Sequence, residues 1–290
     1  MKNILVTGAK GQVGSELQSL SNANYLSGFN FIFSDTEELD ICDSSKVLDF
    51  FKHNNIAYCI NCAAYTAVDK AESDLENALR VNVNGPENLA RACNTYGARF
   101  LHISTDYVYH NSQNTPFKET DETNPQSVYG LTKLQGEQKA IEFCKETIVV
   151  RTSWVYSSFG NNFVKTMLKL GSERSELKVI FDQIGTPTYA ADLAKAMIDM
   201  ISIVESGKGP AWEGIFHYSN EGVCSWYDFA ISIFEIKGLN VKVLPIETKD
   251  YPTPARRPHF SLLNKSKIKT DFGIGIAHWR ESLKKCLELL

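Results

Sequence analysis

Five short, almost wholly apolar runs recur through the first half of this chain, at residues 2–7, 31–34, 56–64, 99–104 and 147–152, each separated from the next by helical periodicity. Strands that are apolar on both faces need cover on both sides, and intervening helices supply it. The pattern predicts an α/β fold built on a doubly wound, Rossmann-type parallel sheet. The covering helices are expected from the first glycines to about Leu20, after a cap at Ser44 or Ser45, over 68–79 and 81–96, and over 129–145. In the second of these, Val47, Leu48, Phe50 and Phe51 are expected to face the sheet, and Gly97 is expected to cap the helix over 81–96.

Past Trp154 the alternation loosens. A Gly160-Asn161-Asn162 turn leads to a helix ending near Leu170, then come a strand at 177–181, a helix at 190–204, a strand at 215–218 and a helix at 225–237. A strand at 241–244, a proline-rich segment at 251–258 and a closing helix at 277–290 complete the chain. This predicts a dinucleotide-binding domain over 1–154, rejoined by about 188–215, and a smaller C-terminal α/β substrate domain from 155–187 and 216–290.

Composition excludes several classes of function. With 30 Lys+Arg against 34 Asp+Glu, and no basic run longer than Arg256-Arg257, nothing marks a nucleic-acid or anionic-lipid surface. No apolar stretch is long enough to span a membrane, and Met1-Lys2 leads straight into a strand with no room for a leader's apolar core. Seven scattered cysteines fit reduced thiols in a cytoplasmic protein. Cys59 and Cys62 form a C-x-x-C, but that spacing on a strand sends the two thiols to opposite faces and no second pair completes a site, so core packing is expected and no metal.

Gly8, Gly11 and Gly14 lie between the first strand and first helix, where a tight turn brings backbone N–H groups and the helix dipole to a pyrophosphate, with Gln12 and Val13 in the same loop. Asp35 ends the second strand, where a carboxylate accepts from an adenosine ribose and repels a 2′-phosphate, favouring NADH. Tyr129 and Lys133 stand one turn apart on a helix, and an ammonium beside a phenol is expected to lower its pKa and make it a better proton donor to a carbonyl. Ser104 and Thr105 end the fourth strand, at the edge where α/β sheets bind ligands, and a hydroxyl there can orient the same carbonyl oxygen.

These segments resemble the extended short-chain dehydrogenases/reductases and, among them, the dTDP-4-dehydrorhamnose reductase family. The likeness is carried by the stretches 7–14, 61–72, Ser104-Thr105-Asp106-Tyr107, Tyr129-Gly130-Leu131-Thr132-Lys133, 151–156, 160–163 and 251–258. It implies hydride transfer from NADPH or NADH to C4 of a dTDP-linked 4-keto-6-deoxy sugar. By that resemblance Tyr129 donates the proton, Lys133 also holds the nicotinamide ribose, Thr105 bonds the keto oxygen, and Ala63, Ala64 and Tyr65 line the cofactor. Asp106, Tyr107 and Trp154 are implied on the sugar side, where an indole face suits a deoxyhexose, and Asn162, Lys165 and Arg256 are candidates for the diphosphate.

Two other readings stay open at this stage. Related dehydratases carry a Glu base where this chain has Tyr107, and a phenol at its ordinary pKa is no substitute, which disfavours dehydration. An epimerase of the same fold and a non-catalytic, nucleotide-binding regulatory subunit remain alternatives. Some relatives dimerise around Mg²⁺ held by carboxylates. Glu16 matches one ligand, but the second position falls on Ala191, with Asp192 one residue away, so Mg²⁺ is possible but not expected to be required. The assembly is expected to be a monomer or a homodimer.

Overall fold

The computed structural model describes residues 1–290. Its first half runs β1 (Lys2–Thr7), α1 (Gln12–Asn22), β2 (Phe29–Ser34), α2 (Ser44–Asn54), β3 (Ile56–Asn61), α3 (Val68–Ala71), α4 (Leu75–Leu79), a π-helical turn at Arg80–Asn84, α5 (Gly85–Tyr96), β4 (Arg99–Thr105), α6 (Val128–Phe143) and β5 (Thr147–Thr152). The second half adds β6 (Val155–Tyr156), α7 (Phe163–Glu173), β7 (Glu176–Ile180), β8 (Ile184–Gly185), β9 (Thr188–Tyr189), α8 (Ala190–Glu205), β10 (Gly214–His217), β11 (Cys224–Ser225), α9 (Trp226–Lys237), β12 (Lys242–Ile246), α10 (Ser266–Phe272) and α11 (Trp279–Glu288).

Six strands form one parallel sheet in the order β2-β1-β3-β4-β5-β10. The direction of winding reverses between β1 and β3, and in open α/β sheets such a switch opens a crevice at the carboxyl ends of the strands. One face is sealed by α1 and α8, where Val13, Leu17, Leu193 and Met197 pack on Ile4, Val6 and Ile60. The other is sealed by α2 and α5, where Val47, Phe51, Leu89 and Cys93 meet Leu5, Cys59 and Phe100. Burying each such aliphatic side chain contributes about 1.5–3 kcal/mol, so the sheet is a rigid platform.

A third core, around Met167, Leu177, Phe229, Ile233 and Leu283, belongs to the C-terminal lobe. The lobes interleave more than the sequence predicts. A division between 215 and 216 cuts through β10, which pairs with β5 inside the main sheet. Helix α10, which has too little periodicity to read from sequence, places Ile268 and Phe272 in the first core. Residues near 216–219 and 266–274 therefore belong with the sheet rather than with the smaller lobe, because their apolar side chains are buried against it.

Local chemistry moves other boundaries. The cap of α2 is Asp43, whose carboxylate accepts the Lys46 N–H at 3.1 Å, and not Ser44 or Ser45. Leu48 faces solvent, since only Val47 and Phe51 of that helix are buried. Strand β3 stops at Asn61, short of Ala64, and the helix expected over 68–79 breaks between α3 and α4. The helix expected over 81–96 begins in the π turn, where the Asn82 side chain accepts the Tyr65 N–H at 2.8 Å and donates to Thr132 of α6 at 3.1 Å. At Gly136 on α6 a Cβ would lie 2.0 Å from the Asn82 carbonyl oxygen, so glycine is what allows α6 to cross this close. A buried ion pair then fixes α6 to β5: Arg151 donates to Glu137 at 2.9 and 2.6 Å. Such a pair costs desolvation but has few alternative arrangements.

Candidate active site

A cleft of about 750 Å³ lies along the carboxyl ends of the strands. At one end is the glycine turn. Gly8 sits at φ +68°, and a Cβ there would come within 2.6 Å of the Ala63 nitrogen. Gly14 is buried beneath it against the Gly8 carbonyl rather than facing the cleft. Helix α1 starts at Gln12 with Gly11 as its cap and no side chain bonded to the first-turn N–H groups. Those free donors and the positive end of the helix dipole suit a diphosphate. The Ser104 hydroxyl, buried and without a hydrogen-bond partner, is a further donor in the same cleft. The residues present fit a dinucleotide.

Gly8, Gly11, Gln12, Val13, Asp35, Ala63, Ala64, Ser104, Thr105, Asp106, Tyr107, Tyr129, Lys133 and Trp154 all line this one cleft, as their spacing and resemblance imply. The Asp35 carboxylate accepts the backbone N–H groups of Lys10 at 2.9 Å and Thr36 at 2.8 Å, so it shapes the rim as well as facing it. Burial opposes its ionisation, but these two N–H bonds prevail and hold its carboxyl below the usual range.

Helix α6 presents Tyr129 and Lys133. Its N-terminus is fixed by Ser127, whose hydroxyl accepts the Gly130 N–H at 3.1 Å. Across the cleft, Thr105 ends β4, and its hydroxyl lies close enough to the Tyr129 phenol to favour the phenol's ionisation. The Thr105 oxygen also accepts the Tyr107 N–H at 3.2 Å, and the Tyr107 ring stands edge-on to that of Tyr129. Lys133 is buried, and its ammonium donates to the Ile103 carbonyl at 2.7 Å.

The electrostatics differ from the sequence expectation. Burial raises the Tyr129 phenol to about 12, against a lowering influence of the nearby Thr105 hydroxyl. Lys133 does not make it more acidic, because the ammonium is turned to the Ile103 carbonyl and its own pKa is depressed by burial to about 8. Asp106 is pushed by burial up to about 6, with Oδ1 accepting from Thr105 at 3.2 Å and Oδ2 unpartnered. Tyr107 is raised by burial as well, which removes it further from service as a base at neutral pH.

Besides Gly14, four expected site residues lie outside the lining. Tyr65 turns its hydroxyl to Asp74 at 2.9 Å. Asn162 caps α7 through the Lys165 N–H at 3.1 Å, and its amide donates to Gln12 at 3.0 Å and to the Ser157 carbonyl at 2.7 Å, which leaves it bracing the glycine loop. Lys165 follows on α7, outside the cleft, and Arg256 is exposed to solvent. The neighbouring Arg257 instead makes a two-pronged pair with Asp69, at 2.7 and 3.1 Å, tying the proline-rich segment to α3.

The cleft also holds residues that no motif announces. Leu39–Cys42, Arg80 and Val81 line the end beyond Asp35, and Trp226 of α9 lies against Trp154. Trp154 holds φ at +48°, a conformation rare for a bulky side chain and concentrated at functional sites. Cys62 falls just past β3 and lines the cleft, whereas Cys59 is in the core; all cysteines are free thiols. Glu16 is buried, accepts from Ser157 at 2.6 Å, and is raised by burial. Asp192 accepts from Asn220 at 2.7 Å. No group of three or more His, Cys, Asp or Glu side chains is disposed to hold a metal ion, and no helix is long and apolar enough to cross a membrane.

A parallel sheet with a glycine turn at a helix N-terminus, and a tyrosine and a lysine one turn apart on a helix across the cleft from a strand-end threonine, define a nicotinamide-dependent oxidoreductase of the short-chain dehydrogenase/reductase class. The chain belongs to the RmlD substrate binding domain family, whose model matches residues 1–290. It is 42% identical over 294 residues to a dTDP-4-dehydrorhamnose reductase from Aggregatibacter actinomycetemcomitans, covering 98% of each chain. It superposes with a TM-score of 0.92 on the crystal structure of a dTDP-4-dehydrorhamnose reductase from Clostridium acetobutylicum, at 42% identity and 99% coverage of both chains. The dTDP-4-dehydrorhamnose reductase from Bacillus anthracis, solved in complex with NADP, matches with the same TM-score of 0.92 at 36% identity, again over 99% of each chain.

Proposed function

We propose that this chain reduces the C4 keto group of dTDP-4-dehydro-L-rhamnose to dTDP-L-rhamnose with NADPH or NADH. The observation that carries the reading is the convergence of the Tyr129 and Thr105 hydroxyls in the cleft that begins at the glycine turn. Full-length likeness to reductases of that name supports the choice of substrate.

Bound in the cleft, the reduced nicotinamide supplies the hydride. The turn of Gly8 and Gly11 and the start of α1 would hold the diphosphate, Asp35 would meet the adenosine ribose, and Ala63 and Ala64 would flank the dinucleotide, all of them lining the cleft. Asp35 disfavours a 2′-phosphate, whereas the Lys10 ammonium on the same rim, paired with Glu37 at 2.7 Å, offers it a cation. Thr105 orients the C4 oxygen. Tyr129 then gives that oxygen its proton, and a phenol near 12 is still a far stronger acid than an alcohol, which ionises near the value of water, about 15.7. Lys133, one turn along α6, exchanges its proton readily at working pH, because burial holds its amine near 8. Trp154 offers the sugar an apolar face.

The test pairs each reduced cofactor with dTDP- and UDP-linked 4-keto sugars and follows nicotinamide absorbance. A reductase consumes one equivalent per sugar. No net change accompanied by sugar isomerisation would establish an epimerase, and cofactor binding without turnover would establish the regulatory reading.

A further inference from the structure

Behind Lys133, away from the cleft, runs a buried chain of side chains that none of the roles above uses. Asn61 ends β3, His102 lies in β4, and Thr7 ends β1, all fully enclosed. Asn61 Oδ1 accepts the Ala63 N–H at 3.1 Å and the Thr7 hydroxyl at 2.7 Å. A backbone N–H can only donate, so this contact fixes which end of the amide is oxygen. Asn61 Nδ2 therefore faces His102 Nδ1, at 3.0 Å.

An amide nitrogen is likewise a donor only, and His102 Nδ1 must accept from it. The neutral imidazole then carries its hydrogen on Nε2, and Nε2 stands 3.4 Å from Lys133 Nζ. A cationic ring would set an N–H against the Asn61 amide nitrogen, and burial first and the Lys133 charge second also lower the His102 pKa, so the neutral form is favoured. An N–H aimed at an ammonium meets no lone pair. Aimed at a neutral amine, it meets one.

We propose that Asn61 and His102 form a tautomer lock that points an imidazole N–H at Lys133 and so favours the neutral amine of that residue. The proposal rests on the reductase reading only in giving the lock a purpose. His102 is a positioning residue that acts through Lys133 and keeps its amine exchangeable. The other groups facing Lys133 pull the opposite way: Glu137 on the same helix and Cys62 beyond β3 both favour the ammonium, against the dominant effect of burial. Tyr129, one turn earlier, is protonated at neutral pH and adds no charge.

Two measurements on the cofactor-free protein test the lock without turnover, so its failure and that of the reductase reading are distinguishable. Nitrogen-15 NMR of the histidine rings, with His102 assigned by the signal lost in His102→Phe, should show the Nε2–H tautomer. An Nδ1–H ring overturns the proposal whether or not any variant folds. Carbon-13 NMR of the lysine ε-carbons should then show the Lys133 midpoint rising by about one pH unit or more in Asn61→Asp, at least a tenfold change in proton affinity. The new carboxylate accepts from Nδ1, moves the ring hydrogen, and turns Nε2 into an acceptor. A bare through-space charge would give the same rise with the imidazole removed, so Asn61→Asp is repeated in His102→Phe. There the increment should shrink to a small fraction; an undiminished increment, or no rise in Asn61→Asp, overturns the lock.

Discussion

The indole of Trp154 lies flat on that of Trp226, with ring centroids 3.7 Å apart and planes 12° apart, so a residue of the nucleotide-binding half is backed by one from the C-terminal lobe. Stacked aromatic pairs contribute about 0.5–1.5 kcal/mol beyond their burial. Trp226→Ala is therefore expected to raise KM for the sugar nucleotide by about tenfold while kcat changes less. Steady-state kinetics decide it; a fall in kcat at constant KM would mean that the pair serves the chemical step.

Tyr129 and Thr105 line the same cleft with their hydroxyls near one another. A positioned proton donor contributes about 10²–10⁴-fold and an oxygen-orienting donor about 10²–10³-fold. Tyr129→Phe and Thr105→Val should lower kcat by these factors and leave the dissociation constant of the cofactor unchanged. Full activity in Tyr129→Phe would remove the phenol from the chemistry.

Buried His217 is bonded to the Tyr109 hydroxyl at 2.8 Å, and burial depresses its pKa to about 3. Between that value and the ordinary 6.5 or so, the unfolded chain takes up a proton that the folded protein does not. Stability from this site is thus intact above about pH 6.5 and falls by about 1.4 kcal/mol per unit as pH drops toward 3. Denaturant midpoints between pH 7 and 4 should fall less steeply in His217→Gln than in the native chain, and equal slopes would assign the acid sensitivity elsewhere.

Gly8 combines a positive φ with a backbone neighbour 2.6 Å from where a Cβ would stand. Gly8→Ala should cost about 1–3 kcal/mol of stability from strain and abolish dinucleotide binding, as read by calorimetric titration. Binding at native affinity would show that the turn does not approach the diphosphate.

The site and the fold were legible where a residue type has one physical use. Apolar runs disclosed β1 to β5, because a strand covered on both faces has no polar face to show. The glycine turn, Asp35, Tyr129 and Lys133 could be read because each spacing has a mechanism. Trp226 could not: it arrives from far along the chain and follows no motif, and only the stack on Trp154 reveals it. Arg80 falls between the two helices that periodicity marks, and the π turn it opens has no sequence signal of its own. For the acidity of Tyr129, spacing shows that Lys133 is near but not that its ammonium is turned to the Ile103 carbonyl, nor how strongly burial acts on both groups. Asn162 has the right donor for a phosphate, but its amide is already engaged by Gln12 and Ser157, which spacing does not show.

The return of the chain at β10 constrains how such an enzyme can be taken apart or recombined. A gene fragment stopping after Thr152 would leave β5 with a bare edge of unpaired amides and carbonyls, an invitation to aggregate. Exchanging substrate preference between relatives by swapping one contiguous tail would carry off β10 and α10 with it. Productive chimeras must be stitched at several junctions, which leaves point substitution in the cleft as the easier path by which relatives diverge.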